Sequence, residues 1–153
     1  MIKYWIEPFS LVLPELKEMV HSHAAETELY NDKMPLDPKY DLYQTLEDNN
    51  SLVFITARDN INLLVGYLSI ITEDHPHHNV KSATNNLMYV HENYRGQGIA
   101  KGMLEAAEEF LRANEISMFQ FIVKAANPMT RLSEELGFDC SEIVYSKYIG
   151  EDK

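Results

Sequence analysis

Cysteine is nearly absent from this chain of 153 residues, because Cys140 is the only one. One cysteine cannot form an internal disulfide, which excludes the small secreted domains held together by several disulfides and is typical of a reducing cytoplasm. The N-terminal residues also lack the basic and then apolar pattern of a secretory signal. We therefore expect a cytoplasmic protein.

Long hydrophobic runs are absent as well. No stretch reaches the roughly 18 uninterrupted apolar residues that a membrane-spanning helix needs, so we expect no membrane partner. Internal repeats, low-complexity segments and linkers rich in glycine, serine or proline are also missing. At this length, their absence predicts one domain over residues 1–153 with its own hydrophobic core.

Basic residues are scarce, since 13 lysines and arginines stand against 24 aspartates and glutamates, for a formal net charge of −11. Affinity for nucleic acid depends on neutralising phosphates, so this balance argues against a general nucleic-acid binder. The same negative field favours a cationic partner such as an amine or a basic peptide. Solubility alone is the alternative reason for the acidity.

The apolar residues predict the order β-α-α-β-β-β-α-β-α-β. Strand patterns cover residues 2–6, 52–58, 63–71, 83–90, 117–123 and 142–149, with one further short strand expected around Phe138. Helical patterns cover a segment with Pro14 in its first turn, followed by residues 40–46, 99–111 and 128–137. A hairpin combined with a βαβ crossover indicates an α/β (α+β) domain around a mixed sheet.

A glycine-rich stretch joins the strand that ends at Val90 to the helix over residues 99–111. It holds two cations, Arg95 and Lys101, close to three glycines. Glycines let a ligand approach the backbone closely, and the free N–H groups and dipole of a helix N-terminus favour an anion. The stretch therefore predicts an anion site, with an unliganded turn as the alternative.

Two familiar phosphate-binding motifs do not fit this stretch. A nucleotide triphosphatase loop needs Ser or Thr after the lysine, but Lys101 is followed by Gly102. In a dinucleotide fingerprint the third glycine follows the second by three residues, whereas Gly98 and Gly102 are one residue further apart.

A third motif does fit. Residues 95–100, RGQGIA, match the R/Q-x-x-G-x-G/A signature of the GNAT superfamily of acyl-CoA-dependent N-acyltransferases, and residues 136–138, LGF, resemble the end of its last helix. The resemblance runs from about Leu63 to Tyr148 and is weaker in the first fifty residues. It implies the GNAT fold, with a mixed, mostly antiparallel central sheet of six to seven strands and about four flanking helices.

The resemblance also implies acetyl-CoA as a cosubstrate. It assigns the pyrophosphate to a loop comprising Arg95, Gly96, Gln97, Gly98, Ile99, Ala100 and Lys101. It assigns the pantetheine arm to backbone groups of Met88, Tyr89 and Val90, and adds Asn127 to the coenzyme site.

The implied reaction is transfer of an acetyl group to a primary amine of a small molecule or a protein, by direct attack of the amine on the thioester. The alternative is a catalytically weak acyl-CoA-binding module that acts through a protein partner. The oligomeric state is left open, with a homodimer among the alternatives.

The acid that protonates the leaving thiolate is not obvious. Many family members use a tyrosine four residues before the glycine of the last helix, and Ser133 stands at that position here. A serine hydroxyl is a weaker acid than a phenol. Tyr145 on the predicted last strand is the second candidate, with simple packing as the alternative.

The base that deprotonates the amine is equally open. The strand before the loop holds no acid, so the histidines just upstream are the candidates, His78 in particular, since histidine titrates near neutrality. An exposed polar turn is the alternative interpretation. Neither these histidines nor His21 with His23 has cysteine or acid partners at metal-binding spacing, so we expect no metal site.

The segment from Glu26 to Tyr43 lies, by the resemblance, where family members bind the acceptor. Its carboxylates could attract a cation, and its tyrosines could form the walls of a slot for an alkyl amine. These residues are Glu26, Glu28, Asp32 and Asp37, and Tyr30, Tyr40 and Tyr43. The alternative is an acidic loop over ordinary aromatic packing.

Overall fold

A computed structural model describes residues 1–27, 29–30 and 32–151. Within these ranges the sheet has five strands: β1 (Lys3–Ile6), β2 (Leu52–Arg58), β3 (Leu64–Asp74), β4 (Lys81–Val90) and β5 (Ile116–Gln120). Their order in space follows the chain. The pairs from β1 to β4 are antiparallel and β4 pairs with β5 in parallel, which confirms the predicted mixed, mostly antiparallel sheet.

The same ranges contain four α-helices, as predicted. They are α1 (Phe9–Thr27), α2 (Tyr40–Asp48), α3 (Ile99–Ala113) and α4 (Thr130–Glu135), and a short 3-10 helix (Glu92–Tyr94) precedes the glycine loop. None of the helices in the described ranges is long and apolar enough to cross a membrane.

The predicted start of α1 was wrong, because Pro14 lies inside the helix rather than in its first turn. The helix begins at Phe9, where the carboxylate of Glu47 on α2 accepts hydrogen bonds from the N–H groups of Phe9 and Ser10. These are N–H groups that a helix cannot satisfy by itself. The cap is distant in sequence, so the local pattern could not reveal it.

The predicted six to seven strands were also wrong. Residues 142–149 form no strand, and none occurs at Phe138. Apolar and aromatic residues suit a segment to a sheet, but a strand also needs hydrogen bonds to a neighbouring strand, and this segment pairs with none of the five strands. The side chains of Ile143 and Val144 are exposed, and the segment instead receives a hydrogen bond from the Tyr30 hydroxyl to the Ser146 carbonyl oxygen, at 3.0 Å.

Apolar side chains pack on both faces of the sheet. On one face the apolar side of α3 covers the central strands, and its buried residues are Ile99, Met103, Leu104, Ala107 and Leu111. This confirms the helical pattern predicted there. On the other face, Phe9, Val12 and Leu16 of α1 pack with aromatic residues of β2, β3 and β4, namely Phe54, Tyr67 and Tyr89.

A partly buried ion-pair network ties α1 to the end of β2. Nε of Arg58 lies 2.8 Å from a carboxylate oxygen of Glu7, and its Nη2 lies 2.8 Å from one of Glu15. Burial by itself raises the pKa of Glu7, but hydrogen bonds from Arg58 and Thr56 and the charge of Arg58 outweigh that effect and lower it. The ionised form of Glu7 is therefore the stable one in the folded protein.

Candidate active site

A cleft opens where β4 and β5 separate. The two strands pair only along Lys81–Thr84 of β4. Just beyond, the buried side chain of Asn85 takes the place of a neighbouring peptide group. Its Nδ2 donates to the carbonyl oxygen of Ile122 at 2.9 Å, and its Oδ1 accepts from the Ile122 N–H at 2.6 Å. Asn85 thus holds the chain after β5 one side chain away from β4.

We expect Asn85→Ala to destabilise the protein by about 1–3 kcal/mol, because the peptide group of Ile122 would lose both partners. Urea unfolding measures this loss. Asn60→Ala, at an exposed turn position between β2 and β3, is the matched control and should change stability by less than about 0.5 kcal/mol. Equal effects of the two substitutions would contradict this role of Asn85.

The cleft has a volume of about 980 Å³ and gathers nearly all the residues predicted to bind the coenzyme. Those on its lining are Met88, Tyr89, Val90, Arg95, Gly96, Gly98, Ile99, Ala100, Lys101 and Asn127, while Gln97 is not part of it. The end of β4, the start of α3 and the loop before α4 therefore share one concave surface.

Glycine is required for two different structural reasons at the three glycine positions near the start of α3. Gly96 and Gly98 adopt φ values of +74° and +76°, and a Cβ built on either would meet nothing within 4 Å. They keep the backbone open towards the cleft. A Cβ on Gly102 would instead run into the ring of Tyr4, so this glycine serves packing of the helix against β1.

The N-terminus of α3 has no side-chain cap, because Gly98 occupies the capping position. Its first N–H groups therefore point a partial positive charge at the cleft. Arg95 and Lys101 add full charges, and each has a carboxylate nearby. Arg95 Nη2 lies 2.6 Å from Oε2 of Glu26, and Lys101 Nζ lies 3.9 Å from Oε2 of Glu135.

None of the three predicted catalytic residues belongs to the lining of the cleft. The hydroxyl of Ser133 on α4 donates to the Met129 carbonyl oxygen at 3.0 Å. Tyr145 is 91% exposed, outside any strand. His78 lies in an exposed turn before Lys81, at the opposite end of β4 from Val90, with its ring 4.7 Å from that of His75. Within the described residues, no three His, Cys, Asp or Glu side chains are grouped to hold a metal ion.

His23 is a lining residue that the sequence did not single out for this site. It is buried on α1, its Nδ1 lies 2.7 Å from the Tyr67 hydroxyl oxygen, and its ring stacks on that of Tyr89 at 5.0 Å. Burial raises the pKa of Tyr67, and the nearby tyrosines add to the shift, so its phenol keeps its proton. Helical spacing places His23 and Glu26 on one face of α1, but only the fold brings that face to β4.

A second pocket, of about 350 Å³, adjoins the cleft. We call it the tyrosine pocket because Tyr30, Tyr40 and Tyr43 line it, together with Phe9, Leu16, Val20, Met34, Pro35, Leu36, Asp37, Pro38, Lys39, Leu42 and Leu87. Leu87 lines both spaces. The three tyrosines that were predicted to form the walls of a slot therefore line the same pocket. Glu28, one of the carboxylates predicted in this segment, lies outside the described residues.

An irregularity in β4 lies beside the tyrosine pocket. Ser69 on β3 pairs with Leu87 while Ile70 pairs with Asn85, so Asn86 is an extra residue in the ladder. Its Oδ1 accepts from the Ser69 hydroxyl at 2.6 Å, and its Nδ2 donates to the Tyr43 hydroxyl at 2.8 Å. The bulge changes the direction of β4 next to Leu87, which lines both the pocket and the cleft.

The fold is that of a family of acyltransferases. The profile of the acetyltransferase (GNAT) family matches residues 16–138, so the chain belongs to this family. This confirms the resemblance seen in residues 95–100 and assigns the chain to acyl transfer in general. A comparison with curated protein sequences finds no significant match.

Solved structures share the fold at low sequence identity. A ribosomal-protein-alanine N-acetyltransferase from Brucella melitensis biovar Abortus 2308 is 17% identical, with a TM-score of 0.73 over 98% of this chain and 100% of that one. An aminoglycoside acetyltransferase from an uncultured soil metagenomic sample, in complex with sisomicin, is 18% identical, with a TM-score of 0.72 over 99% and 96%. A predicted acetyltransferase from Clostridium acetobutylicum, with acetyl-CoA, is 18% identical, with a TM-score of 0.69 over 97% of both chains.

Proposed function

We propose that this protein is an N-acetyltransferase that transfers the acetyl group of acetyl-CoA to a primary amine. The observation that carries the proposal is the open glycine backbone at the start of α3, flanked by Arg95 and Lys101 inside the cleft. Family membership supports the acyl transfer. The single domain over residues 1–153 and the cytoplasmic location stay predictions.

The pyrophosphate of the coenzyme would bind at the N-terminus of α3, where free N–H groups and two cations converge. The pantetheine arm would run along Met88–Val90 of β4. Because β4 pairs with β5 only as far as Thr84, no strand among the described residues lies beside this part of its edge on the cleft side. An extended arm can therefore bond to its backbone much as another strand would.

The chemistry is direct transfer. The neutral amine attacks the carbonyl carbon of the thioester, a C–N bond forms, the C–S bond breaks and coenzyme A leaves as a thiolate that takes up a proton. The ammonium of the free amine must lose one proton before the attack, and the attacking nitrogen loses a second. We propose that holding the two reactants in register provides most of the rate.

The tyrosine pocket would bind the body of the acceptor. Its aromatic and aliphatic lining suits an alkyl or aromatic group, and tyrosine rings also attract cations. Since Leu87 lines both the pocket and the cleft, an amine bound in the pocket would lie near the proposed position of the thioester. A primary amine on an apolar body, from a small molecule or a protein side chain, is the acceptor class that we propose.

Two measurements test the proposed function. Calorimetry with acetyl-CoA should show binding, and release of free thiol should rise on addition of at least one member of a panel of primary amines that varies in apolar size. Absence of acetyl-CoA binding by the folded protein would rule out both acetyl transfer and an acyl-CoA module.

A catalytically weak acyl-CoA-binding module that acts through a protein partner is the second candidate. The observation in its favour is that Ser133, Tyr145 and His78 all lie off the cleft lining. The same pair of measurements separates the candidates, since a module would bind acetyl-CoA yet release no thiol with any amine. A homodimer remains one oligomeric state to measure in either case.

We expect Ser133→Ala, Tyr145→Phe and His78→Gln each to leave kcat within about twofold of the parent protein. General acids and bases usually contribute about 10²–10⁴-fold, and the absence of these three side chains from the cleft lining supports a smaller effect. Steady-state rates on the best amine of the panel decide the question. A fall of tenfold or more for one variant would return that residue to the mechanism.

A further inference from the structure

The guanidinium of Arg95 is held by groups from three directions. Its Nη2 lies 2.6 Å from Glu26 Oε2, its Nε donates to the Val90 carbonyl oxygen at 3.0 Å, and its plane lies 5.5 Å over the ring of Tyr89. Arg95 and Glu26 both line the cleft. Arg95, the cation that we expect to bind a phosphate, thus already has a carboxylate partner, Glu26 of α1.

The carboxylate and a phosphate are alternative partners for the same N–H groups. Both form charge-assisted hydrogen bonds with arginine, so a phosphate gains less from Arg95 while Glu26 stays bound to it. The two anions also repel each other, because like charges held close together near a protein surface are only partly screened by water. Arg95 is therefore a shared cation for which two anions compete.

Lys101 shows the same arrangement on the other wall of the cleft. Glu135 of α4 lies 3.9 Å from Lys101 Nζ and also accepts from Arg131 Nε at 3.0 Å. Glu135 is engaged by two cations and stands further from Lys101 than Glu26 does from Arg95. Competition should therefore be weaker at this second position.

We propose that Glu26 tunes the affinity of the coenzyme site, because it competes with the pyrophosphate of the coenzyme for Arg95. The inference rests on the proposed coenzyme site. Its consequence is faster exchange, because the carboxylate returns to Arg95 as the pyrophosphate leaves and so lowers the barrier to release of coenzyme A. Product release limits the turnover of many enzymes, so faster release of coenzyme A would raise the turnover rate.

Glu26→Gln is the informative substitution, because glutamine keeps the length of the side chain and an oxygen that accepts from Arg95 while it loses the charge. We expect acetyl-CoA to bind about 3- to 10-fold tighter to this variant in calorimetry at low salt, since a charged acceptor is about twice as strong as a neutral one. The gain should shrink as salt screens the charges. Glu26→Ala should also tighten acetyl-CoA binding. If Glu26 only oriented Arg95, Glu26→Ala would instead weaken acetyl-CoA binding.

Glu108→Gln is the matched control. Glu108 pairs with Arg112 at 2.7 Å far along α3, its side chain is 37% exposed against 40% for Glu26, and the substitution changes the net charge equally. It should change acetyl-CoA affinity by less than about twofold. S-acetylpantetheine, which has the thioester but no pyrophosphate, should bind the parent and Glu26→Gln proteins equally.

Each result has a defined meaning. Tighter binding of acetyl-CoA confined to the Glu26 variants supports the inference. Unchanged or weaker binding by Glu26→Gln, or equal gains with Glu108→Gln or with S-acetylpantetheine, overturns it while leaving the proposed coenzyme site intact. Failure of the parent protein to bind acetyl-CoA overturns the proposed function and this inference with it.

Discussion

Gly98→Asp should weaken acetyl-CoA binding by about 100-fold or more. The φ of +76° at this position strains any residue with a Cβ, and the space around it is open towards the cleft, so the new carboxylate would stand where the pyrophosphate is proposed to bind. The new carboxylate and the pyrophosphate are both anions, and they would repel each other strongly in a partly enclosed site. Calorimetry measures the loss, and thermal unfolding checks that the fold persists.

Gly98→Asn separates charge from backbone strain, because it has the same shape and conformational cost without the negative charge. It should lose clearly less affinity than Gly98→Asp. Arg95→Ala, which removes a charge-assisted contact of about 1.5–3 kcal/mol, should lose about 10- to 100-fold. Unchanged affinity in both Gly98→Asp and Arg95→Ala would remove this loop from the coenzyme site.

Arg58→Ala should have the largest effect on stability, a loss of about 2–3 kcal/mol, because it removes charged hydrogen bonds to the carboxylates of Glu7 and Glu15, which are 24% and 40% exposed and so keep part of their hydration. The Arg58 side chain is only 7% exposed, and it also donates to the Asn62 carbonyl oxygen at 3.0 Å. Arg112→Ala is the control, since its side chain is 76% exposed and its pair with Glu108 should be worth less than about 1 kcal/mol. Urea unfolding of both variants gives the comparison.

The same network predicts a dependence on pH. The pKa of Glu7 is lowered in the folded protein, so its contribution to stability is complete above the ordinary carboxyl range and is lost as pH falls through the folded pKa. Stability of the parent protein should therefore decline on the acid side more steeply than that of Arg58→Ala. Parallel acid profiles for the two proteins would show that Arg58 does not set the ionisation of Glu7.

Much of the fold was predictable where the information is local. The apolar spacing of residues 99–111 predicted α3, and the apolar runs on either side of the turn at Asp59 predicted the hairpin of β2 and β3. Such patterns follow from the periods of the helix and the strand, which each segment carries in its own side chains. The glycine loop was equally predictable from the sequence, because glycine is the residue that most readily adopts the positive φ angles found there.

Other features depend on groups far apart in the chain. The start of α1 is set by Glu47, which is 38 residues from Phe9. Residues 142–149 have the composition of a strand but pair with none of the five strands. The roles of Gly98 and Gly102 also look alike in sequence, and only the position of Tyr4 shows that the second serves packing. These outcomes depend on which surfaces meet, and a local pattern contains no record of that.

The sequence by itself determined the family and the position of the glycine loop, since each is encoded by residue types at fixed spacing. The tertiary structure alone placed Glu26 against Arg95 and His23 against Tyr67 and Tyr89, and left Ser133, Tyr145 and His78 off the cleft. The physical reason is that an active site joins side chains from separate elements. Their distances are set by how α1, β4 and α4 pack, which no single segment specifies.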